Sequence, residues 1–128
     1  YMDQIRILAR QQGYVETIFG RRLYLAEINA ANFQRRQAAE RTAINAPMQG
    51  SAADIIKKAM INIDKWIKGS GTDARIIMQV HDELVLEVKG SHEKTVMQAL
   101  KDHMSSAATL IIPLVVETGS GKNWDDAH

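Results

Sequence analysis

Two runs of strand-forming residues, 75–80 and 84–88, stand three residues apart in this chain, close enough to form a hairpin. Ile76, Met78 and Val80 share one face by alternation, and so do Leu84, Leu86 and Val88. The connector is His81-Asp82, or His81-Asp82-Glu83 if the second strand starts late. Two-residue hairpin turns prefer Asn-Gly or Gly-X because the backbone must take positive φ. His and Asp can adopt that conformation, though glycine would do so at lower cost. Two ionisable residues at this tip suggest that the side chains matter. Adjacent Asp and Glu offer hard oxygen ligands for Mg²⁺, which binds one or two carboxylates together with substrate phosphates. A solvated polar turn is the plainer alternative.

Around this hairpin the chain reads as helix, hairpin, helices, hairpin, helix, strand. Residues 2–11 suit a short helix with Ile5, Leu8 and Ala9 on one face, ended by Gly13. Residues 14–18 and 22–25 suit a first β-hairpin, with Val15, Thr17, Leu23 and Leu25 alternating around Gly20. Residues 29–33 read as a loop and 34–46 as a helix rich in Ala, Gln, Arg and Glu. Pro47 is expected to kink that helix or to start a new one. Residues 50–68 give the strongest helical pattern, through Ala52, Ile56, Ala59, Ile63 and Ile67, and Gly69-Ser70-Gly71 ends it. Ser91 resembles a helix cap, followed by a buried stripe of Val96, Leu100, His103 and Ala107. Residues 114–117 suit a final strand. Strands and helices do not alternate regularly, so the fold class is α+β.

Composition narrows the function classes. The 128 residues include no cysteine, which excludes disulfide scaffolds, thiolate zinc sites and cysteine nucleophiles. The longest apolar run, 110–116, is seven residues interrupted by Pro113, against the roughly 20 that a helix needs to cross a bilayer. The chain opens on Tyr1, without a basic-then-apolar leader, and reads as a piece of something longer. The net charge of +1 hides a split. Residues 1–68 carry 11 basic and 6 acidic side chains, and residues 69–128 carry 5 and 9. A basic half beside an acidic half suits a polyanion partner on one side and cation binding on the other, unless the surface charge has segregated by chance.

Arg41, Asn45 and Gln49 recur at i, i+4 and i+8, so a helix places them on one face. All three carry NH donors. The DNA minor groove presents acceptors at similar places in every base pair, so a row of donors can feel correct pairing without reading sequence. Arg35, Arg36, Lys57 and Lys58 flank them and could hold phosphates. A solvated polar helix face remains the alternative. Three other patterns carry little. Gly119-Ser120-Gly121-Lys122 looks like the end of a phosphate loop, but Val116 stands where a Gly is needed and Asn123 where Ser or Thr is. His81-x-Glu83 matches half of a deaminase signature whose cysteine pair is missing. Trp66 and Trp124 are too far apart for a stacking platform and suit core packing.

The run Glu40-Arg41-Thr42-Ala43-Ile44-Asn45-Ala46-Pro47-Met48-Gln49-Gly50-Ser51-Ala52-Ala53-Asp54-Ile55-Ile56, followed by Gln79-Val80-His81-Asp82-Glu83-Leu84-Val85, resembles the C-terminal end of the family A DNA polymerases of the bacterial DNA polymerase I type. Gly13-Tyr14-Val15-Glu16-Thr17, Gly20-Arg21-Arg22-Leu23-Tyr24 and the ending Gly119-Ser120-Gly121-Lys122-Asn123-Trp124 fit as well, so the resemblance covers essentially the whole chain. It implies an incomplete domain: a helix and hairpin at the fingers end over 1–33 and a palm segment with an antiparallel catalytic hairpin over 34–128. It also implies template-directed nucleotidyl transfer with two Mg²⁺ ions (or Mn²⁺), primer–template DNA and deoxynucleoside triphosphates as partners, and a cytoplasmic location. By resemblance, Asp82 is the palm aspartate that ligates the metals, Glu83 a supporting catalytic carboxylate, and His81 a residue near the primer terminus. Arg41, Asn45 and Gln49 resemble the donors that track the minor groove, and Arg36 a template-phosphate contact. The family's other metal aspartate lies in an Asp-Tyr-Ser strand that does not occur here, and the nucleotide-holding fingers helix, the thumb and any exonuclease domain are also missing. The isolated chain is therefore expected to be inactive, and its hairpin, short of a sheet neighbour, to favour self-association. A non-catalytic double-stranded DNA-binding module is the competing expectation, separable by its indifference to Mg²⁺.

Overall fold

The computed structural model describes residues 1–128 and is α+β, with three α-helices and two small antiparallel sheets. The elements are α1 (Met2–Gln12), β1 (Tyr14–Glu16), β2 (Arg22–Tyr24), α2 (Phe33–Ser70), β3 (Ala74–Val80), β4 (Glu83–Val88) and α3 (Glu93–Ser105). Short 3₁₀ turns lie at Gly90–His92 and Asp125–Ala127. The chain divides into two compact units, Tyr1–Asp54 and Ile55–His128.

In the first unit, α1 ends as expected at Gly13, whose φ of 80° is left-handed and lets its N–H return to the Ala9 carbonyl. β1 and β2 pair with Val15 opposite Leu23. The core here is Ala9, Val15, Leu25, Ile28, Ala39 and Ala43, with Ile5 and Ala46 packed against it. Leu8, expected on the buried face of α1, is exposed. Asn32 starts α2 by accepting the Arg35 N–H on its side-chain oxygen at 3.1 Å.

Pro47 neither stops nor restarts α2, which runs for 38 residues from Phe33 to Ser70. Proline has no N–H for the Ala43 carbonyl, a local cost of about 3 kcal/mol, but its fixed φ is itself helical. Burial of Ala39 and Ala43 before it, and of Ile56, Ala59 and Ile63 after it, offsets that cost. Ala52, expected in the buried stripe, is exposed, and Ser51 is buried in its place.

The hairpin tests the alternation most sharply in the second unit. β3 and β4 pair as expected, but the register slips between Ile76 and Met78. Ile76 lies opposite Leu86, Met78 opposite Val85 and Val80 opposite Glu83. The extra residue, Ile77, moves Met78 and Val80 to the other face from Ile76, so the three do not share one face as strict alternation requires. The Ser91 cap is also displaced. Gly90–His92 form a 3₁₀ turn, α3 starts at Glu93, and the ring Nδ1 of His92 accepts the Asp73 N–H at 3.0 Å. The buried residues of α3 are Val96 and Ala99, whereas Leu100 and His103 are half-buried. Residues 114–117 form no strand, because the β3–β4 sheet has two members and neither pairs with them. Leu114 and Val116 are still half-buried while Val115 is exposed, so the alternation survives without a ladder.

Candidate nucleic-acid interface and carboxylate tip

On α2, Arg41, Asn45 and Gln49 are exposed at the expected helical spacing, and no hydrogen bond or ion pair within the chain engages their side chains. Ala39 and Ala43 are buried on the same helix, so packing fixes which way this polar row faces. Met48 beside it is exposed. Arg36 is partly committed: its Nη1 donates to the Ala30 carbonyl at 3.0 Å, and its guanidinium lies 5.7 Å from the Phe33 ring centre. Four of its five N–H groups are left for another acceptor.

The following stretch of the same motif has a local structural use that its sequence does not announce. Gly50 lies where a Cβ would meet the Thr17 methyl at 2.8 Å, so the helix backbone comes close to the β1–β2 turn. The Ser51 hydroxyl accepts the Ile18 N–H at 3.0 Å. Arg21 donates through Nε to Asp54 at 2.9 Å and through Nη2 to the Gly50 carbonyl at 3.3 Å. Gly50, Ser51 and Asp54 thus seat the first hairpin on the helix. A cavity of about 190 Å³ lies at this junction, lined by Val15, Thr17, Leu23, Ala46, Pro47 and Gln49, among others. Elsewhere in the unit, Glu40 is bound by Arg10, and that hydrogen bond holds its carboxyl below the usual carboxylate range against the opposing effect of burial.

In the second unit the β3–β4 connector is the two-residue turn His81-Asp82. Only His81 takes a positive φ, 53°, so one turn position rather than both carries the left-handed backbone. The Gln79 side chain donates to the His81 carbonyl at 3.1 Å. His81 and Asp82 are exposed. Glu83, the first residue of β4, is half-buried and turned to another partner: His128 Nε2 lies 3.0 and 3.1 Å from its two oxygens, and Trp124 Nε1–H donates to it at 3.4 Å. Trp124, expected in the core, is exposed, and its indole serves this contact. Both ring nitrogens of His128 face acceptors, the Trp124 carbonyl and Glu83. Its pKa is accordingly raised, by the Trp124 carbonyl first and by Glu83 second.

No three His, Asp or Glu side chains converge in a set that could hold a metal ion. Asp82 can offer one carboxylate at the tip, which is one ligand and not a metal centre. Lys122 in the glycine-rich stretch precedes no α-helix, which removes the phosphate-loop pattern.

Residues 1–126 match the model of DNA polymerase family A. The chain is 60% identical over 128 residues to DNA polymerase I of Pseudomonas aeruginosa, and 47% identical over 127 residues to that of Streptococcus pneumoniae. It covers 100% and 99% of itself in these matches but 14% of each relative, so it spans about a seventh of their length. Among solved structures it is similar to the POL domain of Pol1 from M. smegmatis in complex with DNA primer–template and dNTP, with a TM-score of 0.97 and 50% identity. That match covers 99% of this chain and 22% of the other. On this coverage and identity, the chain belongs to DNA polymerase family A.

Proposed function

We propose that this chain is the segment of a template-directed DNA polymerase that carries one metal aspartate on a palm hairpin and a helix that follows the minor groove of the new duplex. The observation that supports it most is the exposed, uncommitted row Arg41, Asn45 and Gln49 on a helix anchored by its opposite side, in a chain similar to a polymerase domain bound to primer–template and dNTP. The row donates hydrogen bonds to minor-groove acceptors, and Arg36 adds a template-phosphate contact. Asp82 projects its carboxylate from the hairpin tip with His81 beside it near the primer end, and Glu83 supports the tip from β4.

The reaction of such an enzyme joins the primer 3′-hydroxyl to the α-phosphate of a deoxynucleoside triphosphate and releases pyrophosphate. Mg²⁺, when bound in the whole enzyme, supplies charge neutralisation and a more nucleophilic hydroxyl. This chain contributes one carboxylate to that site, so alone it incorporates no nucleotide. The test is fluorescence anisotropy of the chain with primer–template duplex and with single-stranded DNA, alongside an incorporation assay. Duplex-selective binding lost in Arg41→Ala, with no incorporation, is the expected result. Incorporation by the isolated chain, abolished by Asp82→Ala, would overturn the assignment of an incomplete site. Equal binding to both DNAs would overturn the groove-tracking role.

A further inference from the structure

Glu83 follows Asp82 directly, and its carboxylate is held by a braced segment some forty residues further along the chain. His128 and Trp124 supply the three contacts described above. The holder is itself tied. The His128 Nδ1 lies 2.9 Å from the Trp124 carbonyl, and the two rings meet edge to face with centres 5.3 Å apart. Asn123 closes the turn, accepting the Asp126 N–H at 2.9 Å and donating to the Asp126 carboxylate at 2.8 Å. Gly121 is needed there, since a Cβ would meet the Asp126 carbonyl carbon at 2.7 Å. A carboxylate gripped on both oxygens by an imidazole and on one by an indole is oriented by those groups.

We propose that Trp124 and His128 are positioning residues. They hold the Glu83 carboxylate off the hairpin tip, so that Asp82 alone presents a carboxylate there, and they fix the start of β4 that carries it. The catalytic consequence rests on the polymerase reading of Asp82, whereas the structural consequence does not. Outer partners that orient metal-site residues in this way change activity by roughly 10–100-fold when removed.

Two measurements separate the possibilities. The first is amide hydrogen exchange on the 128-residue chain. His128→Ala should speed exchange at Asp82, Glu83 and Leu84 by about tenfold while α1 and the β1–β2 hairpin stay unchanged, which marks a local opening and not a failure to fold. The second is kinetics in Pseudomonas aeruginosa DNA polymerase I with its corresponding 128 residues replaced by this chain. There His128→Ala should lower kcat about tenfold, with KM for dNTP and duplex Kd within about twofold. His128→Gln, which can still donate to Glu83, should recover most of the loss. Unchanged exchange at the tip in His128→Ala overturns the clasp. Faster exchange with unchanged kcat, or equal loss in the Gln and Ala variants, overturns the positioning role. Asp82→Asn in the same polymerase is the separate control: retained turnover there overturns the polymerase reading and leaves the exchange result to decide the clasp.

Discussion

The carboxylate of Glu83 and the imidazole of His128 meet at 3.0 and 3.1 Å across 45 residues of chain. Asp82, one residue before Glu83, is exposed and joins no such grip. Two adjacent carboxylates therefore have different surroundings.

The first expected outcome follows from that contrast. In a polymerase carrying this segment, Asp82→Asn should abolish turnover with duplex Kd near normal. Glu83→Gln should lower kcat only about tenfold, as for a residue that orients another. Single-turnover incorporation with each variant checks the order, and equal losses would contradict it.

Gly50 offers a test of the hairpin seat. Alanine would gain about 1 kcal/mol of helix propensity, but its methyl would press on the Thr17 methyl 2.8 Å away. Thr17 cannot turn aside freely, because its hydroxyl accepts the N–H groups of Phe19 and Arg21. Overpacking of this kind costs about 1–3 kcal/mol, so Gly50→Ala should lower Tm. Thr17→Ser keeps the hydroxyl and removes the methyl, so adding it to Gly50→Ala should recover the loss in thermal melts.

Arg41→Ala should weaken duplex binding. If the side chain holds a phosphate, the slope of log K against log salt should fall by about one. If it reads the groove, affinity should fall with the slope unchanged. Anisotropy titrations at several salt concentrations distinguish the two, and unchanged affinity would remove Arg41 from the interface.

The Arg10–Glu40 pair gives a pH dependence. The folded carboxyl titrates below its unfolded value of about 4.3. Its stabilisation is therefore present above that value and is lost as pH falls through the lower, folded one. For a partly exposed pair it amounts to about 1 kcal/mol at most. Glu40→Gln should lower Tm at neutral pH, and the difference from the parent chain should close in acid. A constant difference across the range would contradict the ion pair as its source.

His81 offers a test that separates a turn role from the proposed one at the primer end. Its left-handed backbone costs a non-glycine residue roughly 1–2 kcal/mol. His81→Gly should leave Tm unchanged or slightly higher while primer extension by a polymerase carrying the segment falls. A fall in Tm without loss of extension would make His81 a turn residue only.

Much of this was legible in the chain because local periodicity carries it. The 75–88 hairpin, Gly13 as a stop, and the helical row Arg41, Asn45 and Gln49 all follow from spacing within a few residues. What was not legible depends on contacts far along the chain. The slip at Ile77 has no glycine or proline to mark it. Pro47 obeys the local rule against helix interiors until packing on both sides outweighs it. Ser51 and Asp54 act on residues 33 positions away, and Trp124 and His128 on a residue more than 40 away. The strand expected at 114–117 failed for the same reason: its alternation is local, but a strand needs a partner.

The most direct measurement is primer extension by Pseudomonas aeruginosa DNA polymerase I in which this chain replaces its own matching residues, at 60% identity over the exchange. Extension by the folded chimaera, abolished by Asp82→Asn with duplex binding intact, is the expected result. Undiminished extension by the Asp82→Asn chimaera, or no extension by a chimaera that folds and binds duplex as the parent does, would contradict the assignment of this segment and its aspartate to the polymerase site.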